Sequence, residues 1–363
     1  MRIASQMCLK SYSNSRSPSH RKYFLLAFLS AFLFSLSTPI SKVLLEKFDP
    51  VFLASVFYFG AALILLPFSA KGFSRELSHV SRERADVFRL LGSSFFGGIL
   101  GPISFLFGIK LMSATSASLL LNLEAVATTF IAWVFFREHC SKKVIFSSIT
   151  TLIAGVLLVI NDDFSLNFGG IFIAIACLSW ALDNNLTAST EGISPATNTI
   201  VKGAVAGIIN LILAFLLNQL PPFSFMIAVA LLAGGILYGL SILLYITSAR
   251  QLGAARSQII FSLNPFFGTL FSYLIFFEFL NSRFFVGAIL MIFSVLILFF
   301  ERHVHTHVHD SIEHEHEHSH NDAHHNHTHE HTSGGHLHTH RHKHVLLKHA
   351  HGHYPDIHHK HRH

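Results

Sequence analysis

Ten apolar runs, each close to the ~20 residues a helix needs to cross a ~30 Å hydrocarbon core, follow one another with short connections. They lie at about 23–45, 51–70, 87–110, 115–136, 143–160, 169–188, 198–217, 225–249, 255–277 and 283–300. In lipid every backbone polar group must find its partner inside the protein, and a helix achieves this within one segment. The sequence therefore predicts an all-α integral membrane protein with ten transmembrane helices. With 51% hydrophobic and only 13% charged residues, the chain falls outside the soluble globular class. Arg21 and Lys22 precede the first run, as in a signal peptide, but that run is too long and leads to no small-residue cleavage site. Cys8, Cys140 and Cys177 are too scattered for a disulfide framework or a CxxC clip.

Orientation follows from the basic residues. With the N-terminus inside, sixteen Lys and Arg, among them Lys202, Arg250 and Arg256, fall on the cytoplasmic side, and only Lys42, Lys47, Lys110 and Arg283 fall outside. This positive-inside bias places both termini in the cytoplasm of a multi-pass inner- or plasma-membrane protein. The basic excess behind the net charge of +6 lies in residues 1–300, with 20 Lys/Arg against 12 Asp/Glu, because the last 63 residues carry six Lys/Arg against eight Asp/Glu. The basic excess thus reports topology, and no nucleic-acid partner is expected. The expected partners are the bilayer, a small-molecule substrate and divalent metal ions, with a homodimer left open.

The chain also repeats itself. A shift of 140 residues lays Ile109–His139 on Ala249–Phe279, matching Lys110 with Arg250, Ala114 with Ala254, Leu123 with Leu263 and Glu138 with Glu278. Five spans separate the copies, so the two halves are expected to be inverted in the bilayer, as in alternating-access carriers with a midplane site. The expected organisation is an N-terminal segment 1–22, five-helix repeats at 23–160 and 161–300, and a tail at 301–363.

The segments "STPISKVLLEKFDP" (37–50), "LSWALDNNLT" (178–187) and "SLNPFFGTLFSYLIFFEFL" (262–280), together with the repeat, resemble the drug/metabolite transporter superfamily and, within it, the EamA-type permeases. The resemblance covers about residues 24–300. It implies a ten-helix secondary carrier or exchanger with cytoplasmic termini. The first copy departs from the second in having Ala125 where Pro265 stands.

Ionisable groups deep in a span are costly and are functional candidates. Glu124 lies about nine residues into the fourth run, ~14 Å at 1.5 Å per residue, and its repeat counterpart is Asn264. These two are expected to meet at a central cavity, where Glu124 would accept a proton, a coupling cation or a cationic substrate group. Asp183 and Asn184 form the second candidate group, one turn after Trp180. Lys42 is expected at the outer mouth, Glu138 and Glu278 at helix ends or gates, and Pro39 and Pro265 at hinges. Gly97 with Gly101, Gly203 with Gly207 and Gly235 with Gly239 mark faces where helices approach closely.

The tail, 301–363, holds 25 of the 28 histidines. Neutral imidazole binds zinc, nickel, cobalt or copper, and the alternation His303, His305, His307, His309 and His314, His316, His318, His320 puts successive rings on one side of an extended chain. The tail is expected to be disordered, to hold divalent transition metal in interchangeable arrangements, and to require no other cofactor. Its two HExxH matches lack a helix to align their histidines, so no enzyme is expected. The leading expectation is a carrier of small metabolites with this tail as accessory. A zinc, nickel or cobalt carrier fed by the tail is the alternative, and a membrane-tethered metal buffer or sensor is a third.

Overall fold

A computed structural model of the chain describes residues 21–69, 72–80, 84–136, 141–159, 168–190, 192–277 and 282–299, and four short segments of the tail. Two compact units separate, one holding the helices and the other the tail strands.

Every described element between residues 21 and 299 is helical. The order is α1 (Arg21–Ser35), α2 (Ser37–Leu44), α3 (Pro50–Ser69), α4 (Phe73–Val80) and α5 (Arg84–Ser93), which runs through a first π-helix (Ser94–Leu100) into α6 (Gly101–Leu111). Next come α7 (Ala114–Leu120), α8 (Asn122–Val134), α9 (Lys142–Val159), α10 (Phe168–Ala188) and α11 (Pro195–Leu216). The last group is α12 (Phe225–Ala233), a second π-helix (Gly234–Leu240), α13 (Ser241–Leu252), α14 (Ala254–Phe261), α15 (Asn264–Phe276) and α16 (Ser282–Phe299). Local chemistry sets the boundaries. Ser194 caps α11 by accepting from the Thr197 amide at 3.2 Å, with Pro195 in the first turn where its missing N–H costs nothing. Gly253, at φ 86°, supplies the left-handed turn between α13 and α14.

Seven helices are long and apolar enough to cross a membrane: 21–44, 50–69, 84–111, 168–188, 195–216, 225–252 and 254–276. The runs expected at 115–136, 143–160 and 283–300 correspond to α7 with α8, to α9 and to α16. The fourth run is interrupted at Leu121, between α7 and α8, and the span 254–276 carries a matching interruption at Ser262 and Leu263 between α14 and α15. Large apolar side chains such as Phe88, Phe130, Phe215 and Phe225 stay on the outside. That is where a multi-pass protein meets lipid.

The two halves pack through matching contacts. The two π-helices start and end 140 residues apart, as do α9 and α16. The pairing of α1 with α13 recurs as α10 with α6, α3 with the second π-helix recurs as α11 with the first, and α7 with α15 recurs as α14 with α8. Small polar residues join the halves at two places. Ser30 Oγ donates to the Ser241 carbonyl at 2.8 Å and Ser241 Oγ returns the bond to the Ser30 carbonyl at 3.0 Å. Ser147 and Ser294 make the same reciprocal exchange at 3.2 and 2.9 Å. Such hydroxyls hold helices together where no hydrophobic force separates protein from solvent.

In the tail, β1 (Val304–His309) pairs antiparallel with β4 (Leu347–Gly352), and β2 (Glu313–His318) with β3 (His338–Lys343). Regular structure therefore stands in part of a segment expected to be disordered. The period of two in its histidines is the period of a strand.

Candidate functional site

One face of α10 sets the chemistry of the helical unit. Trp180, Asp183, Asn184 and Thr187 follow the i, i+3, i+4, i+7 spacing of a single helix face, and all four line one cavity. Glu124 from the first turn of α8 and Lys202 from α11 complete its charged lining, and its other walls are largely aromatic.

Two polar networks share the cavity. In the first, Asn184 Nδ2 donates to Glu124 Oε1 at 2.8 Å and also lies 3.1 Å from Gln258 Oε1 on α14. Gln258 hydrogen-bonds the Glu124 side chain as well. In the second, the Lys202 ammonium pairs with Asp183 Oδ1 at 2.5 Å, and the same oxygen accepts from Thr187 Oγ1 at 2.9 Å. The Lys202 side chain is 1% exposed. A charge so buried is tolerable only with a partner, and breaking such a pair by deleting one member costs about 3–5 kcal/mol.

The first π-helix seats these groups. A Cβ on Gly97 would lie 2.0 Å from Asp183 Oδ2, one on Gly98 2.5 Å from Ala206 Cβ, and one on Gly101 2.6 Å from Trp180 Nε1. Tyr58 donates its hydroxyl hydrogen bond to the Gly97 carbonyl. The glycines read from sequence as packing residues therefore also set how closely α10 and α11 approach the site.

Of the residues expected to act together, Glu124, Asp183 and Asn184 line one cavity. Asn264 does not: it is buried at the first position of α15, outside the cavity lining. The expected meeting of Glu124 with Asn264 is not seen in this lining. A new helix begins at Asn264, and Gln258, on the helix before the break, supplies the amide instead. Lys42 is no open mouth cation, since its ammonium donates to the Ile109 and Met112 carbonyls at 2.7 Å each and caps the end of α6. Pro39 lies in α2, just after the break between α1 and α2, and Pro265 is the second residue of α15. Glu138, Glu278, His303 and His320 lie outside the described residues. His305, His307, His309, His314, His316 and His318 lie on strands β1 and β2.

Lys202, Gln258 and Thr187 escaped the sequence reading. Lys202 and Arg256 were counted towards topology, whereas both are buried in the helical unit. A lysine seven residues inside the apolar helix Pro195–Leu216 was the available signal.

A second polar cluster holds the connection between α10 and α11. The Ser194 amide donates to Glu76 Oε2 at 2.9 Å, and Arg250 donates to the Ile193 carbonyl. Partial burial pushes the Glu76 carboxyl up. Hydrogen bonds from Thr197 and Ser194, with the Arg250 charge, outweigh this and hold it below the usual range. The repeat counterpart of Arg250 is Lys110, which pairs with Asp49, just before Pro50, at 2.9 Å.

The sequence profile of the EamA-like transporter family matches the chain twice, over residues 21–161 and 167–300. An uncharacterized transporter from Methanothermobacter thermautotrophicus is 26% identical over 288 residues, covering 73% of this chain and 82% of its own. A solved crystal structure, described only as that of a protein, superposes with a TM-score of 0.59 at 16% identity, covering 77% of this chain and 96% of its own. At that identity the likeness is one of fold alone.

Proposed function

Because the chain belongs to the EamA-like transporter family, a family of multi-pass membrane transporters, we propose that it is a secondary carrier of small metabolites. It works by alternating access, with two inverted five-helix halves rocking around the cavity of Glu124, Asp183 and Lys202. The observation that carries this reading is a cavity built from both halves with two acidic side chains and one basic side chain in its wall. The cost of burying such groups in a membrane protein has a return only if they act on a substrate or coupling ion. Repeated pairings such as α1–α13 with α10–α6 support the inverted arrangement, and the basic residues support cytoplasmic termini.

Glu124 is the titratable coupling residue. In proteoliposomes loaded with a panel of labelled metabolites, Glu124→Gln should reconstitute normally and lose gradient-driven accumulation, while exchange of substrate for substrate survives. Wild-type accumulation with unchanged pH dependence in that variant would contradict the assignment.

The tail is an accessory that binds transition metal. In the strand registers His305 stands opposite His351, His307 opposite His349, and His314, His316 and His318 opposite His342, His340 and His338. The ten apolar runs contain no histidine, which argues against a pore that itself carries zinc or nickel.

A further inference from the structure

Resting on the carrier reading above, we propose that the substrate is an organic cation, an ammonium group on an apolar body. The charge balance of the cavity leads there. Three acidic or basic side chains line it, and two of them, Lys202 and Asp183, neutralise each other in a buried ion pair. The third, Glu124, is held by the neutral amides of Asn184 and Gln258. Among the described residues no basic side chain pairs with it. The acidic group that faces the cavity without a basic partner is therefore the Glu124 carboxyl, which a bound cation would hold ionised.

The rest of the wall selects the same charge. Phe34 stands at the centre of an aromatic cluster, its ring centroid 5.7 Å from Trp180, 5.4 Å from Tyr238 and 5.4 Å from Phe261. Tyr245 extends it, 5.2 Å from Phe261, and all five rings line the cavity. Aromatic faces are negative and attract cations, worth about 2 kcal/mol when the contact is desolvated. An anion would meet Glu124 and these faces, with the Lys202 ammonium already committed to Asp183. A neutral apolar guest would offer the Glu124 carboxyl no charge to pair with.

Three probes that share a phenyl-alkyl body and differ in charge test this: phenethylammonium, phenethyl alcohol and 3-phenylpropanoate. The full chain in nanodiscs, with Trp133→Phe so that Trp180 is the sole tryptophan reporter, is titrated with each and followed by fluorescence. Phenethylammonium should bind at least about tenfold tighter than the other two. Glu124→Gln should erase that preference. Because this variant can fail to fold, Phe261→Leu and Phe261→Tyr provide a second readout. The leucine should weaken only the cation and the tyrosine should restore it. Equal or tighter binding of the alcohol or the anion, or no saturable cation signal, overturns the proposal. Counterflow of labelled phenethylammonium in proteoliposomes separates this from the carrier reading. Cation-selective binding without counterflow defeats carrier function and leaves the selectivity standing. Transport of neutral or anionic metabolites without cation preference defeats the selectivity alone.

Discussion

Lys202 and Asp183 illustrate how a membrane interior turns two ordinary residues into a constraint. Each alone would be a buried, uncompensated charge, while together they form a hydrogen-bonded pair closed by Thr187. Lys202→Met should therefore lower stability by about 3–5 kcal/mol, and Asp183→Leu by a similar amount. The double substitution should recover most of the loss, since well-packed apolar replacements of a buried pair are close to neutral. Thermal unfolding of the four proteins in one detergent measures the coupling, and additive losses would show that the pair does not interact as described. Sequence made Asp183 visible by its depth in an apolar run. It hid Lys202, whose position seven residues into α11 was equally compatible with a loop charge until its partner was known.

At the scale of elements, the first π-helix is the surface on which the site is mounted. Widened turns of this kind are frequent at functional positions, and here Gly97 accepts Asp183 while Gly101, just beyond its end, accepts Trp180. Gly97→Ala would place a methyl group 2.2 Å from Asp183 Cγ. It should disrupt the ion pair and cut transport by an order of magnitude or more, as a displacement of about 1 Å at a reacting centre can. Gly235→Ala meets its nearest atom at 3.1 Å and should cost far less in the same uptake assay.

The cluster around α4 has a different task, fastening the α10–α11 connection. The Glu76 carboxyl is lowered in the folded protein, so its contribution is complete at neutral pH. That contribution is lost as pH falls through the folded value, below the ordinary glutamate range of about 4.3. Glu76→Gln should raise deuterium uptake in a peptide spanning 190–197 at neutral pH. Acidification of the wild-type protein below about pH 4 should reproduce that rise once intrinsic exchange is corrected, whereas unchanged uptake in the variant would remove Glu76 from this role. The helix breaks at Leu121 and Ser262 were only half legible, since Pro265 marks one and no proline or glycine marks the other.

For the whole molecule, the family matches end at residue 300 and the histidine tail follows. A protein ending at Arg302 should insert and transport at the wild-type rate but lose metal binding. In the full chain, zinc bound at pH 7.5 should be released at pH 5.5, because imidazoles with pKa near 6.5 become cationic as pH falls past that value. Failure of the truncated protein to reach the membrane, or equal zinc affinity at both pH values, would contradict this account of the tail. The membrane class, the 140-residue repeat and the burial of Glu124 could be read from the chain because hydrophobicity, period and depth are properties of contiguous residues. Which amide holds Glu124, which lysine neutralises Asp183 and why Asn264 stands aside were decided only by the tertiary structure. Those outcomes depend on how far each helix is rotated about its axis, and that rotation is set by close contacts between glycine faces and side chains distant in the sequence.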